Sequence, residues 1–491
     1  MIKIKLDIDN QIGKVDKNIF GSFLEHIRDA VYGGVYNTDS NKTDADNFRT
    51  DVIEAVNDLS ISNVRWPGGN FVSGYHWYDG IGPKENRPQK KELAWNDIES
   101  NQFGTDEFMK WCEKADVEPH ICVNMGNGTM EEAQNWVEYC NSNDDSYYAA
   151  LRNKYGRNEP YNVKYWGLGN EIWGEWQIGH KSAEDYTKEA VEYAKVMKRV
   201  DPSIELIACG AGFDWNITVL DKLIKDVDYL SIHMYVGNEK YAIGDHQGVI
   251  KNEVNDYYNY MSTGELIEKN IQAAKSQIKA VGNKYRLSQD ELPKLCIDEW
   301  AALHWWGDEE GYQNYEDALV TAMFFNSFIN NADFVKMANN LSLFINVQTI
   351  FTKENDILLQ TVYYPMQLYA NYRGNKAVQL NIVDVDNYKH DGREIPYLNC
   401  SATVDEEEKK IYLNVVNLNL EKSYSVQIIN QNLEINKEVI VREILADDVK
   451  AENTFDNKNR VTLEQRVMTI SSNNFEFNFA PHSITSLEIK Y

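Results

Sequence analysis

Cysteine is scarce and unpaired in this chain. Six cysteines occur in 491 residues, and none forms a Cys-x-x-Cys pair. Five of them sit in apolar segments, so they read as reduced core thiols, and a disulfide framework or zinc ribbon is excluded. Long hydrophobic runs are missing as well. Nothing approaches the roughly 18 apolar residues of a membrane span. The opening stretch MIKIKLDIDN alternates like a strand and has no apolar signal core, so a cytoplasmic location is expected. Positive charge is in deficit, with 49 Lys and Arg against 76 Asp and Glu, a net of −27. Such a surface repels nucleic acid, anionic membranes and polyanionic sugars, which leaves a neutral partner as the expectation. Solubility alone would also account for the charge. The chain has no G-x-x-x-x-G-K-[ST], no H-E-x-x-H, no EF-hand loop and no G-x-S-x-G. No cofactor and no metal are therefore expected.

What is present is a regular alternation. Strand-like runs fall at roughly 19–26, 63–69, 119–126, 163–171, 204–212, 229–235, 294–300 and 333–340. Several are near-continuous apolar runs, as strands buried on both faces require. Helical spacing lies between them, as in Val52, Val56 and Leu59 or Met130, Ala133, Val137 and Cys140. Thr129 with Glu132, and Ser182 with Asp185, are placed to start helices, the first as a capping box. Strands alternating with helices imply parallel pairing, and this many units imply a closed (β/α)8 barrel over 17–367. From 368 to 491 the segments are short and alternating, such as KKIYLNVVNLN and NFEFNFAP. They predict a C-terminal antiparallel β-sandwich of jelly-roll type, joined by residues 1–16.

In such a barrel, function gathers at the C-terminal ends of the strands. Those ends carry Glu25 and His26, Arg65 to Asn70, Asn124, Asn170 and Glu171, His233 and Tyr235, and Asp298 to Trp300. A lone Glu at a strand end is more often a cap or an ion pair. Two, Glu171 and Glu299, each within a Trp-rich apolar segment, point to paired acid chemistry. Glycosidic hydrolysis needs one carboxyl to protonate the leaving oxygen and another to attack carbon or activate water. Trp166, Trp173 and Trp176 around Glu171 should disfavour its ionised form, which suits the acid. Glu299 is expected to stay ionised as nucleophile. Asn170 could hold a hydroxyl beside the reacting carbon. Trp77, Trp95, Trp173, Trp176, Trp305 and Trp306 could face sugar rings, although any one alone is more often core.

The stretches GSFLEH, YGGVYN, VRWPGGNFVSGYHWYDGIGP, AWNDIESNQFGTDEF, CVNMGNGT, KYWGLGNEIWGEWQIGH, LSIHMY and IDEW together resemble glycoside hydrolase family 51, the α-L-arabinofuranosidases of the retaining barrel clan. The resemblance implies acid/base Glu171, nucleophile Glu299, and a retaining exo-hydrolase that releases terminal α-L-arabinofuranosyl groups from arabinan, arabinoxylan or their oligosaccharides. It implies that Glu25, Asn70, Asn170, Tyr235 and Gln360 contact the furanose, with Trp176 in the same role and Arg65 and His233 in support. It implies a homo-oligomer, often a hexamer. Two stretches depart from the family text. Arg28-Asp29 follow His26-Ile27 where Gly-Arg is usual, and Ala301-Ala302-Leu303 follow DEW where Asn is usual. Both are expected to alter the pocket wall. Three alternatives stand beside this reading: a β-xylosidase or endoglucanase specificity, a metal-dependent barrel isomerase, and a sugar-binding protein without turnover.

Overall fold

The computed structural model describes residues 1–491 apart from 239–249, 253–256, 305–310, 391 and 431–432, with backbone alone at 238 and 250–252. Trp305 and Trp306 lie outside the described residues.

The barrel strands are β1 (Gly21–Phe23), β2 (Asn63–Trp66), β3 (Glu118–Val123), β4 (Tyr165–Leu168), β5 (Glu205–Ala208), β6 (Tyr229–Asn238), β7 (Lys294–Leu303) and β8 (Val335–Asn340). Each of the eight predicted runs overlaps one, and β3, β6 and β7 extend beyond theirs. Each pairs in parallel with the next, and β8 returns to β1 through Asn339 opposite Gly21 and Asn340 opposite Ser22. The barrel is therefore closed and has no free edge. Its strands are buried on both faces, inward by their neighbours across the barrel and outward by helices.

The main outer helices are α1 (Thr50–Asp58), α2 (Thr105–Ala115), α3 (Met130–Asn141), α4 (Ala183–Val200), α5 (Phe213–Leu223), α6 (Thr263–Tyr285), α7 (Tyr315–Asn330) and α8 (Tyr363–Asn371). Thr129 caps α3 by accepting from the Glu132 N–H at 3.1 Å. The Glu132 carboxylate does not close a capping box. It turns to His76 Nδ1 at 3.1 Å instead. Ser182 caps α4 in the expected way, accepting from Asp185 N.

Helix α7 differs from the others because every residue from Tyr315 to Ile329 is buried. It lies between the barrel and the C-terminal sheets. Asn326 binds Asn399 at 2.7 Å and accepts from Ser401 and Tyr369, while the Tyr315 hydroxyl reaches Ile444 O. A helix covered on all sides needs no polar face.

The C-terminal sheets enclose a second core. Seven strands run Gln11–Lys14, Lys376–Val378, Leu398–Asp405, Lys410–Asn417, Ser483–Lys490, Glu438–Ile444 and Leu463–Thr469. Four more run Asn381–Val383, Ile2–Leu6, Tyr424–Asn430 and Phe475–Phe479. Alternating Ile2, Ile4, Leu6, Val426, Ile428, Phe477 and Phe479 fill the space between the sheets. One pairing is not antiparallel: Ile2–Leu6 runs parallel to Tyr424–Asn430.

Candidate active site

The rim is built where β1, β2, β4, β6 and β7 end. After β2 the chain turns through Pro67, Gly68 and Gly69. Gly68 sits at φ 151°, and a Cβ there would lie 2.4 Å from Glu25 Cγ. Only glycine lets this turn close over the Glu25 carboxylate. After β4, Glu171 itself takes a left-handed φ of 41°. Such a conformation is unfavourable for a residue with a Cβ and is typically held at working sites.

Phe23, Glu25, Gly69, Asn70, Trp95, Asn170, Glu171, Tyr235, Glu299 and Phe344 line a small, partly open cavity of about 30 Å³. A larger groove, lined by Lys17, Glu118 and Arg373 among others, opens at the N-terminal ends of the first strands. Barrels of this kind use that end for stability and the opposite rim for function.

Arg65 organises the floor. Its Nη1 donates to Glu299 Oε1 at 2.8 Å, its Nη2 to Asn170 Oδ1 at 2.6 Å, and its Nε faces Asp298 Oδ2 at 3.2 Å. The Asn170 amide is thereby oriented, and its buried Nδ2 has no hydrogen-bond partner among the described residues. That is a donor awaiting an acceptor. Tyr235 donates to Glu299 Oε2 at 2.6 Å. His233 Nδ1 lies 2.8 Å from Glu171 Oε1 and 3.3 Å from Glu299 Oε2. Burial alone would neutralise His233, but Glu299, Asp298 and Glu171 push it up to about 10. Burial pushes the Glu299 carboxyl up, and His233, Arg65 and Tyr235 act against it.

Glu25 accepts from Phe71 N at 2.9 Å and Trp95 Nε1 at 3.0 Å. Burial raises it from its ordinary 4.5 to about 7, with Glu299 adding repulsion. The sign follows from linkage. A carboxyl raised in the folded state stabilises fully below pH 4.5, and that contribution is lost as pH rises through about 7. Glu25→Gln keeps an acceptor for both donors and removes the titration. Its melting temperature relative to wild type should therefore climb between pH 4.5 and about 7. Parallel melting curves across that window would show that Glu25 is not buried as described.

Several expectations need correction. The cavity's aromatic side chains are Phe23 on β1, Trp95 in a turn, Tyr235 on β6 and Phe344 after β8, and of the named tryptophans among the described residues only Trp95 lines it. Trp166 points outward, packs on Trp136 and donates to Val163 O. Trp173 and Trp176 pack on each other, and Trp176 is 44% exposed, apart from this cavity. Trp77 is core, stacked on Trp136. Tyr235 does line the cavity, and its hydroxyl donates to Glu299. Gln360 is buried and accepts from Gln313 N at 3.0 Å, outside the cavity lining. Asn124 closes its own loop by accepting from Gly126 and Gly128. Ala301, Ala302 and Leu303 do not form a pocket wall. They extend β7 opposite Tyr235, Val236 and Gly237. Asp29 faces Asn346 at 3.2 Å, also away from the cavity lining. Phe344 lacked any motif and could have been found only by its place after β8.

Glu171, His233 and Glu299 bring potential ligand atoms within 4.8 Å of one another, the one such trio among the described residues. Arg65 at 2.8 Å and His233 Nδ1 at 3.3 Å already give Glu299 two cationic neighbours, which opposes a third.

Residues 55–248 match the family model described as α-L-arabinofuranosidase 1 domain, and residues 298–483 match the α-L-arabinofuranosidase C-terminal domain. The intracellular exo-α-(1→5)-L-arabinofuranosidase 1 of Bacillus subtilis is 34% identical over 519 residues, covering 100% of this chain and 99% of its own. The chain belongs to glycoside hydrolase family 51. α-L-Arabinofuranosidase C of Emericella nidulans is 36% identical, covering 86% of each chain. The arabinose complex of the Thermotoga maritima α-L-arabinofuranosidase superposes with a TM-score of 0.90 at 35% identity, over 100% of both chains. The barrel with its C-terminal sheets is thus the family 51 architecture, and this family 51 chain is a glycosidase.

Proposed function

We propose that this enzyme releases terminal, non-reducing α-L-arabinofuranosyl groups with retention of configuration. The observation that carries the mechanism is the separation of the two carboxylates. A Glu171 oxygen and a Glu299 oxygen lie within 4.8 Å. Retaining enzymes hold their carboxyls about 5–5.5 Å apart, and inverting enzymes leave about 6.5–9.5 Å for a water. In this reading Glu299 attacks the anomeric carbon while Glu171 protonates the departing oxygen. Glu171 then takes a proton from the water that opens the glycosyl ester. Asn170 Nδ2 is free to bind the hydroxyl next to the reacting carbon, and Glu25 and Asn70 face the rest of the ring. Tyr235 and Arg65 act on Glu299 rather than on sugar.

Substrates are proposed to be arabinan, arabinoxylan or their oligosaccharides, and the exo-α-(1→5)-L-arabinofuranosidase of B. subtilis supports arabinofuranosyl groups as the sugar released. A panel of p-nitrophenyl furanosides and pyranosides tests the sugar, and NMR of the first-formed product tests the stereochemistry. An inverted product would sink the double displacement. Preference for β-xylosides would move the specificity to the runner-up. Activity should survive dialysis against EDTA, because Arg65 already holds Glu299 and two carboxylates suffice for the chemistry. Loss on chelation with rescue by a divalent ion would favour the isomerase reading. A cytoplasmic location is proposed from the six free, buried thiols and the relative's name. No helix among the described residues is long and apolar enough to cross a membrane. The net charge of −27 supports a neutral partner rather than nucleic acid. A homo-oligomer, a hexamer by the family resemblance, is proposed on that resemblance alone. Light scattering reads it directly.

A further inference from the structure

One buried charge in the floor has no part in the double displacement as described. Asp298 precedes Glu299 on β7, where the pairing with β8 shifts register between Ile297 and Trp300, and both side chains reach Arg65 and His233. Asp298 is only 3% exposed. Its Oδ2 faces Arg65 Nε at 3.2 Å. Its Oδ1 faces His233 Nε2 at 3.3 Å and accepts the Ser231 hydroxyl. Other titratable groups face it too: His120 and Cys122 from β3, Cys209 after β5, Tyr186 from α4, and Cys296 on its own strand. Burial holds those thiols and the Tyr186 phenol in their neutral forms. It also lowers His120 to about 3, so that ring is neutral. Among the described residues, the cations on Asp298 are therefore Arg65 and His233.

These two cations are not equally dependent on it. Arg65 keeps Glu299 and Asn170 as further anchors. His233 has Asp298 as the acceptor at Nε2, and this contact fixes which way Nδ1 points. Nδ1 points between the two carboxylates, at 2.8 Å from Glu171 and 3.3 Å from Glu299. An imidazolium has two donors and no acceptor, so both nitrogens need anionic partners here.

We propose that Asp298 is a positioning residue that acts through His233, locking the ring so that one N–H serves both carboxylates in turn. This rests on the roles proposed for Glu171 and Glu299. Before glycosylation the charge to be balanced sits on Glu299. Once Glu299 is esterified it is neutral, and Glu171 has given up its proton. The negative charge has moved by one residue, and the fixed Nδ1–H lies within reach of both positions. No proton leaves His233. Its hydrogen bond changes partner, with no reorganisation of the surrounding protein, which is the condition for electrostatic stabilisation at low cost.

Without Asp298 the imidazolium loses its counter-charge, and its proton should leave nearer the ordinary histidine value of 6.5. The test uses full-length Asp298→Asn, His233→Asn and the double variant, with kcat, KM and the pH profile of kcat/KM. Asp298→Asn should lower kcat by about 10–100-fold with KM within about threefold. Its alkaline limb should fall by about one pH unit or more, as the ring becomes neutral within the working range. The double variant should lose no more than about threefold beyond the worse single variant, because both remove the same function. Unmoved limbs, or losses that multiply, would overturn the proposal. If Asp298→Asn does not fold, Ser231→Ala keeps both charges and frees Asp298 Oδ1. It should move the same limb by less, and an unmoved limb there overturns the proposal as well. Wild-type stereochemistry separates the two ideas. An inverted product removes the double displacement itself, whereas retention with an unmoved limb removes only the role of Asp298.

Discussion

Glu299→Ala is expected to lose turnover by about 10⁵-fold, the scale on which covalent nucleophiles fail when removed. The geometry leaves no substitute. Arg65 and Tyr235 both point at the Glu299 oxygens, so the groups that should stabilise the attacking carboxylate would face an empty space. Besides Glu171, Glu25 is the other carboxyl that lines the cavity, and its Oε1 is held by Phe71 and Trp95. Removing one partner of a buried ion pair costs about 3–5 kcal/mol, so alanine should also lower the melting temperature. Glu299→Gln separates the two effects. It is isosteric and keeps an acceptor for Arg65 or Tyr235, so it should melt close to wild type yet be as inactive as the alanine. Azide added to the alanine variant would attack from the face that Glu299 vacated, in one displacement. Any glycosyl azide formed should therefore have inverted configuration. A retained azide product, or substantial activity in Glu299→Gln, would remove Glu299 from the nucleophile's place.

The barrel was legible because its strands are buried on both faces. Segments such as IELIACGAG leave few ways to be anything but an interior strand. Lengths were less legible. Strand β7 was expected to end at Trp300 and runs to Leu303, because two alanines are small enough to stay in register against Tyr235 and Val236. Alternation in residues 2–8 showed a half-buried strand but not its direction, and the parallel pairing with Tyr424–Asn430 carries no local signal. Glu171 and Glu299 stood out because each is a carboxylate close to tryptophan in an otherwise apolar strand-like run. The tryptophans near Glu171 misled for a geometric reason. Alternation and the left-handed turn at Glu171 send Trp166 outward and the carboxylate inward, so closeness in sequence is distance in space. The residues that do surround the carboxylates come from other strands, and a single sequence does not reveal pairings such as His233 with Asp298.

Glu171→Ala should show a different failure, one that depends on the substrate. Proton transfer to a leaving oxygen is worth about 10²–10⁴-fold, and only where that oxygen is a poor leaving group. Natural glycosides should therefore slow by that range. Dinitrophenyl-type substrates, whose leaving group needs no proton, should form the glycosyl-enzyme at nearly the wild-type rate. Water would then attack without a base, so the intermediate should accumulate and give a burst of nitrophenol. Azide needs no base and fits where the carboxylate stood. It should speed turnover and yield a glycosyl azide of retained configuration, because it enters on the face opposite the ester to Glu299. The alkaline limb of the pH profile should weaken, since no proton donor remains to be lost. His233 would keep Glu299 as a neighbour at 3.3 Å, so the floor of the site should survive the change. Equal losses on good and poor leaving groups, with no response to azide, would make Glu171 a structural carboxylate held by His233. Glu25, which lines the same cavity and is raised to about 7, would then be the next acid to test, ahead of the exposed Glu175.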